Sequence, residues 1–328
     1  MYVLGIETTC DETSAAIVED GTRICSLVTY SQDAIFAEYG GVVPELASRN
    51  HVEAIDWVVE KSLQDANLTL SDIDRIAVAN GPGLVGSLLV GIHFAQGLSL
   101  AASLPVVEIN HIEAHLYASI MSAERLFPAL GVVLSGGHTS LVLIHDIGKY
   151  QLIGQTIDDA IGEAFDKVAK MIGLDYPGGP NVEKMAKLGN PKAFQFSPAK
   201  VKNNPFAFSF SGLKTAVLYK LKELDPKDFP DLCASFQQAA IDAVYEKVLL
   251  ALQSFPAQAV YLGGGVTRNQ ALRAKMNTLS IPCFWPQDEL CLDNAAMIAG
   301  LGFYQPETDI YSLAPKTRIP FSLSSSKF

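Results

Sequence analysis

Tyr2-Val3-Leu4-Gly5-Ile6-Glu7-Thr8-Thr9-Cys10-Asp11-Glu12-Thr13-Ser14-Ala15-Ala16-Ile17-Val18 is the stretch that decides how this chain is read. Residues 2–7 form an apolar β-type run, residues 8–13 a polar turn, and residues 14–18 a second strand. Asp20-Gly21 is then a strong hairpin signal into a third strand over 22–29. The pattern returns after Pro128, with strands at 129–134, 139–145 and 150–156 and a tight Ser135-Gly136-Gly137-His138 turn after the first of them. Each meander is followed by helices and further strands. After the first come a helix over 51–65, a strand over 73–79 broken by Asn80-Gly81-Pro82-Gly83, a small-residue helix to about 103, a strand over 105–109 and a helix over 111–121. After the second come helices near 159–172, 181–188, 211–224 and 228–254, a strand at 259–262, a helix over 268–279, a strand at 281–285 and a last helix over 293–304. Two such cycles predict a duplicated α/β fold of two lobes, with turns from both lining a cleft. The lobes are expected at 1–127, with 297–328 packing back on the first, and at 128–296.

The bulk numbers agree with such a chain. At 328 residues it is long for one core and suits two. Hydrophobic residues make up 49% and charged ones 18%, a balance that leaves little room for disorder. No apolar run reaches an uninterrupted membrane span; residues 83–104 come nearest, but His93, Gln96 and many small residues predict a buried helix instead. The chain enters a strand at once, with no basic leader, and its five cysteines (Cys10, Cys25, Cys233, Cys283, Cys291) form no C-x-x-C pair. A reducing, cytoplasmic setting without a disulfide scaffold is expected.

Net charge is −11, but it is unevenly spread. Residues 1–126 hold 17 Asp and Glu against 5 Lys and Arg, whereas residues 149–228 hold 12 Lys against 9 acids. A bound RNA would follow this second segment, through Lys167, Lys170, Lys184, Lys187, Lys192, Lys200, Lys202 and Lys214. An ordinary solvated lysine surface accounts for the same composition.

Chemistry enters with Asn110-His111-Ile112-Glu113-Ala114-His115. On a helix, His111 and His115 share one face and reach one metal ion, and imidazole is a common ligand of Zn and Fe. The spacing alone leaves metal binding open. It does argue against a zinc protease, because H-E-x-x-H puts Glu directly after the first His and Ile112 holds that slot. The order H-x-x-E-H fails at Ala114, and Glu113 lies roughly 200° around the helix from His111. Asp293, in Cys291-Leu292-Asp293-Asn294, reads either as the N-cap of the last helix or as a third ligand completing a His₂-Asp set with open positions.

Two glycine turns point to an anion or nucleotide. Leu134-Ser135-Gly136-Gly137-His138 lies between strands, and Gly263-Gly264-Gly265-Val266-Thr267-Arg268-Asn269 follows a strand and opens a helix. Neither a G-x-G-x-x-G dinucleotide fingerprint nor a G-x-x-x-x-G-K-[ST] loop occurs. Asp166 falls mid-helix, where Asp has poor propensity, and reads as a contact for a polar ligand or as one half of a surface ion pair. Asp11 and Glu12 sit in the first hairpin turn.

Together these segments closely resemble the TsaD family, also called Gcp or YgjD, and the bacterial rather than the archaeal branch, since no kinase domain is fused. The resemblance runs over nearly the whole chain. It covers Gly5 to Ala16, Val43-Pro44-Glu45-Leu46-Ala47-Ser48-Arg49, Gly81-Pro82-Gly83-Leu84, Asn110 to His115, Leu134 to His138 and Glu163 to Lys167. It continues through Tyr176-Pro177-Gly178-Gly179-Pro180, Phe208 to Ala216, Gly263 to Asn269 and Asp293 to Ala299.

The resemblance implies the two-lobed fold of actin, sugar kinases and Hsp70 (the ASKHA fold). It also implies a transferase that moves a threonylcarbamoyl group from threonylcarbamoyl-AMP to the N6 amine of the adenosine 3′ of the anticodon, in tRNAs reading codons that begin with A. His111, His115 and Asp293 would bind one divalent metal, Fe or Zn. Leu134, Ser135, Gly136, Gly137, His138, Asp166, Gly179, Glu183 and Asn269 would hold the donor. TsaB-type and TsaE-type proteins would be partners. Glu183 stands where the family pattern has Asp, Ala114 where Gly is usual and Thr9 where Ser is common. The N6 amine is a poor nucleophile, and Asp11, with Glu12 second, is the expected base. A small-molecule kinase of the same fold and a metalloprotease are the competing readings.

Overall fold

The computed structural model describes residues 1–199, 201–202 and 204–317; Lys200, Asn203 and 318–328, the end of the segment expected to pack back on the first lobe, lie outside the described residues. The chain divides into two compact units. One runs from Met1 to Glu124, takes in Ile147–Lys149 and resumes at Pro286; the other comprises Arg125–Asp146 and Tyr150–Trp285.

The first unit is built on the opening meander. Strands β1 (Tyr2–Glu7), β2 (Glu12–Glu19) and β3 (Arg23–Ser31) pair antiparallel, while β4 (Arg75–Gly81) and β5 (Val106–Asn110) add parallel to the other edge of β1, giving the order β3-β2-β1-β4-β5. Glu12, expected in the turn, is the first residue of β2. A short helix α1 (Asp33–Ala37) precedes α2 (Pro44–Ala66), and α3 (Val85–Ala102) joins β4 to β5. α2 begins seven residues before its apolar periodicity, because Pro44 supplies a helix-compatible φ at its first position.

The period of β1 assigns its faces. Leu4 and Ile6 enter a core with Ala54, Ile55 and Val58 of α2 and Leu88, Ile92 and Ala95 of α3. Gly5 faces the other way. A methyl group there would meet the Ala295 carbonyl oxygen at 2.3 Å and the Ala299 nitrogen at 2.7 Å, so α10 (Ala295–Gly302) lies directly against the strand. α4 (His111–Ile120) packs beside α10.

α3 corrects the expectation of a buried helix. Ser87, Leu88, Gly91, Ile92 and Ala95 face the core, but Val85 and Leu100 on its outer side are 54% and 62% exposed. Its apolar residues surround the helix, so sequence periodicity gave no sign of which face the sheet would cover. Among the described residues it is the one helix long and apolar enough to cross a membrane, and its inner face is part of this unit's core.

The second unit repeats the plan. β6 (Ala129–Leu134) pairs antiparallel with β7 (Thr139–Asp146), β8 (Lys149–Gln155) lies beyond β7, and β9 (Val260–Gly263) and β10 (Cys283–Phe284) add parallel, in the order β10-β9-β6-β7-β8. The duplication expected from the two meanders is present strand for strand. The helices α5 (Ile161–Met171), α6 (Gly178–Ala186), α7 (Ser211–Leu221), α8 (Phe229–Ser254) and α9 (Gln270–Met276) enclose an apolar core around Phe165, Val168, Leu213, Phe236, Ile241 and Leu262. All five cysteines are free thiols.

Candidate active site

Asn110 begins the first unit's site. Its side-chain oxygen accepts from the Ile112 and Glu113 backbone N–H groups at 2.9 and 3.3 Å, an N-cap that starts α4 on His111. His111 and His115 then fall one turn apart on the same face, both buried, with ring centroids 4.6 Å apart. Asp293 reaches them from the loop before α10. Its Oδ1 lies 3.5 Å from His111 Nε2 and 3.1 Å from His115 Nε2. The alternative role for Asp293 is ruled out by its neighbour: Asn294 is the cap, its side-chain oxygen accepting from Met297 N at 3.0 Å. Asp293 is thereby released to face the histidines.

These residues fit a divalent metal. Ions held at about 2.1 Å by N and O donors put neighbouring ligand atoms roughly 3.0–3.4 Å apart, close to the two Asp293 spacings. His115 Nε2 is buried and makes no aligned hydrogen bond, as expected of a lone pair aimed at an ion rather than at Asp293. Two imidazoles and one carboxylate suit Zn or Fe better than Mg or Ca, and three ligands leave positions open.

Sequence reasoning missed Glu7. Its carboxylate is fully buried at the end of β1, where Oε2 accepts from His111 Nδ1 at 2.9 Å and Oε1 takes the Thr9 N–H at 2.5 Å. A carboxylate only accepts, so the His111 proton sits on Nδ1 and the Nε2 lone pair is left for a metal. Without metal, burial disfavours the imidazolium, but Asp293 and Glu7 outweigh it and hold His111 well above its ordinary range. Asp293 is penalised by burial and is nonetheless held well below its range by the His111 charge and the closeness of both imidazoles. The signal for Glu7 was the strand period, since it shares the face of Gly5.

The acidic turn belongs to the same unit. Asp11 and Glu12 are buried, and their carboxylates gather with Asp33 within 4.8 Å. Burial first, then the nearby Asp293 charge, raises both. For Glu12, burial leads, followed by the Asp293 charge and then by Asp11. Like charges this close favour one shared proton over two bare carboxylates.

The expected donor-binding residues all lie in the second unit. Ser135 N donates to the His138 carbonyl at 2.8 Å and Ser135 Oγ accepts from His138 N at 3.1 Å, closing a tight turn. Methyl groups at Gly136, Gly137 or Gly179 would meet nothing within 4 Å. Gly264 is different. Its φ is +94°, and a methyl there would strike the Leu134 carbonyl at 2.5 Å, so the two glycine turns touch. Its glycine serves that contact rather than a ligand. α9 begins at Gln270, with Asn269 capping it through Leu272 N and binding Gln237 Oε1. Asp166 Oδ1 accepts from Gly178 N and Gly179 N at the start of α6, and Glu183 accepts from Gln270 N at 2.9 Å. A pocket of about 240 Å³ lined by Glu183, Ala186, Pro191, Ala234, Gln237 and Ala271 lies among these residues. Several of the lysines expected to meet RNA are paired: Lys167 and Lys214 with Asp159, and Lys187 with Glu183.

Two repeated α/β units, one with a buried His₂-Asp group and one with facing glycine turns, define a group-transfer enzyme of the actin and sugar-kinase fold. Solved structures bear on the fold alone. HypF of T. kodakarensis is 14% identical with a TM-score of 0.63, covering 92% of this chain and 47% of its own. A ROK family glucokinase from Streptomyces griseus is 12% identical with a TM-score of 0.51, covering 93% and 99%. Sequence carries the rest. The family model of TsaD, tRNA N6-adenosine threonylcarbamoyltransferase, matches residues 23–300. A tRNA N6-adenosine threonylcarbamoyltransferase of Protochlamydia amoebophila is 53% identical over 98% of both chains. The chain belongs to the TsaD family of tRNA-modifying transferases, and neither the kinase nor the protease reading is favoured.

Proposed function

We propose that this chain transfers a threonylcarbamoyl group from threonylcarbamoyl-AMP to the N6 amine of the adenosine 3′ of the anticodon, in tRNAs reading codons that begin with A. The observation that carries the reading is the convergence of His111, His115 and Asp293, with the His115 lone pair unpartnered. These three residues would hold one Fe or Zn ion, which would supply Lewis-acid polarisation of the carbamoyl oxygen. Asp11 takes the proton from N6 as the amine bonds to the carbamoyl carbon; the bond from that carbon to the AMP phosphate oxygen breaks, and AMP leaves with the electron pair. Glu7 holds His111 in the donor tautomer. Leu134 to His138 and Gly179 present backbone to the donor, with open space where side chains would stand, and Asp166, Glu183 and Asn269 bind its polar edges. The reaction runs in the cytoplasm with TsaB-type and TsaE-type partners, and the lysine-rich segment 149–228 meets tRNA phosphate.

The test is a single-turnover reaction of metal-loaded protein with synthetic threonylcarbamoyl-AMP and an unmodified tRNA transcript. Modified adenosine should appear with stoichiometric AMP and disappear in His111→Ala. Phosphoryl transfer from ATP to a sugar, with no modified nucleoside, would sink the proposal.

A further inference from the structure

His51 is a buried histidine that none of the chemistry above employs. It sits on α2, within the Val43 to Arg49 segment's following turn, and is fully enclosed. Its ring joins the two ends of the acidic dipeptide. Nε2 lies 3.0 Å from the Cys10 carbonyl oxygen and Nδ1 lies 2.7 Å from Thr13 Oγ1. Between Cys10 and Thr13 stand only Asp11 and Glu12.

The partners fix the tautomer. A carbonyl oxygen only accepts, so Nε2 carries the proton; Nδ1 is then a lone pair that accepts from the Thr13 hydroxyl. Burial lowers the ring's pKa and favours this neutral form. α2 grips the turn by a second route. Gln32 N donates to the Asp11 carbonyl at 3.1 Å, and the Gln32 side chain is held by the Ala47 carbonyl and by Asn50 Nδ2.

We infer that His51 is a positioning residue for the transfer reaction, bracketing Cys10 and Thr13 so that the Asp11 carboxylate is held where the attacking amine loses its proton. The inference rests on the reading of Asp11 as the base. A base displaced by about an ångström forfeits up to about 100-fold in rate without weakening substrate binding.

The two side-chain amides separate the two contacts. Asparagine at 51 places a polar group near Nδ1 and reaches only Thr13; glutamine places one near Nε2 and still donates to Cys10. Full-length, metal-loaded protein is assayed in single turnover with synthetic threonylcarbamoyl-AMP and tRNA, with Asp11→Asn in parallel. His51→Asn should lose about 10- to 100-fold in maximal rate, with the KM for donor and tRNA, and the metal content, unchanged. His51→Gln should recover most of that loss. Long-range ¹H–¹⁵N spectra of wild type should report the Nε2–H tautomer, a readout independent of activity. A wild-type rate in His51→Asn, rate and KM failing together in both variants, or a proton on Nδ1 would each overturn the bracket. If His51→Asn is slow while Asp11→Asn transfers at the wild-type rate, the bracket stands and the assignment of the base falls.

Discussion

Replacing Glu7 by glutamine tests the metal site at a residue that does not touch the metal. Glu7 is fully buried and 2.9 Å from His111 Nδ1. Glutamine keeps the shape and a hydrogen-bond acceptor but removes the charge that makes the imidazole a stronger donor. Loss of such a partner costs about 10- to 100-fold in metal affinity, or about 1.4–2.7 kcal/mol. A second effect opposes it. In the metal-free protein Asp293 and Glu7 overcome burial and hold His111 above its ordinary range, so a proton competes with the ion for Nε2. Removing Glu7 weakens the proton's hold as well. The deficit should therefore be greatest at high pH, where His111 is already neutral, and should shrink as pH falls. The same raised value stabilises the metal-free fold fully below about pH 6.5, and that contribution is lost as pH rises through the titration of His111 in the folded protein. The assay is competition of apo-protein against a chromophoric chelator for Zn²⁺ across pH, with calorimetry in two buffers to count released protons. Equal affinities and equal proton release in wild type and Glu7→Gln at every pH would refute the reasoning.

Three further outcomes follow from the geometry. Asp11→Asn should lower transfer by about 10²- to 10⁴-fold; in wild type, burial raises Asp11, so the rate should climb with pH through a midpoint above the ordinary carboxylate value of about 4 and then level, as a pH–rate profile will record. Asn294→Ala should cost about 1 kcal/mol of stability through the lost cap with metal still bound, while Asp293→Asn should lose the metal at little cost to the helix; denaturation curves and metal content separate the two. Gly264→Ala, at φ +94° and facing the Leu134 carbonyl at 2.5 Å, should destabilise the protein by about 1–3 kcal/mol, whereas Gly137→Ala, which opens on empty space, should spare stability and weaken donor binding.

What the sequence disclosed depended on how local the physics was. The two meanders were legible because alternation and Asp20-Gly21 are short-range signals, and the sheets follow them strand by strand. The histidine pair was legible for the same reason. Asp293 was legible from its residues only as either cap or ligand, with the family resemblance pointing to the ligand; in the structure the extended backbone of Asn294, φ −152° and ψ 153°, gives the cap to Asn294. Gly264 was readable as a special glycine but not as one facing Leu134, a contact between residues 130 apart in sequence. His51 was hidden inside an amphipathic helix. Its partners, Cys10 and Thr13, come from a turn some forty residues earlier.

The site's most sensitive dimension is set by a residue with no side chain. The His111 and His115 rings are fixed by α4, itself started by Asn110 at the end of β5. Asp293 is fixed instead by α10, whose distance from β1 is limited by Gly5, since any Cβ there would press on the Ala295 carbonyl, two residues after the ligand. Glu7, on the same face of β1, meets His111 from the sheet side. Continuing along the chain, the turn after β1 delivers Asp11. One strand and its turn therefore supply the close approach, the orienting carboxylate and the base within seven residues. Moving α10 outward by even the radius of a methyl group would lengthen both Asp293 spacings beyond what one ion at about 2.1 Å can bridge. Metal affinity is thus coupled to packing at Gly5, although Gly5 touches nothing that reacts.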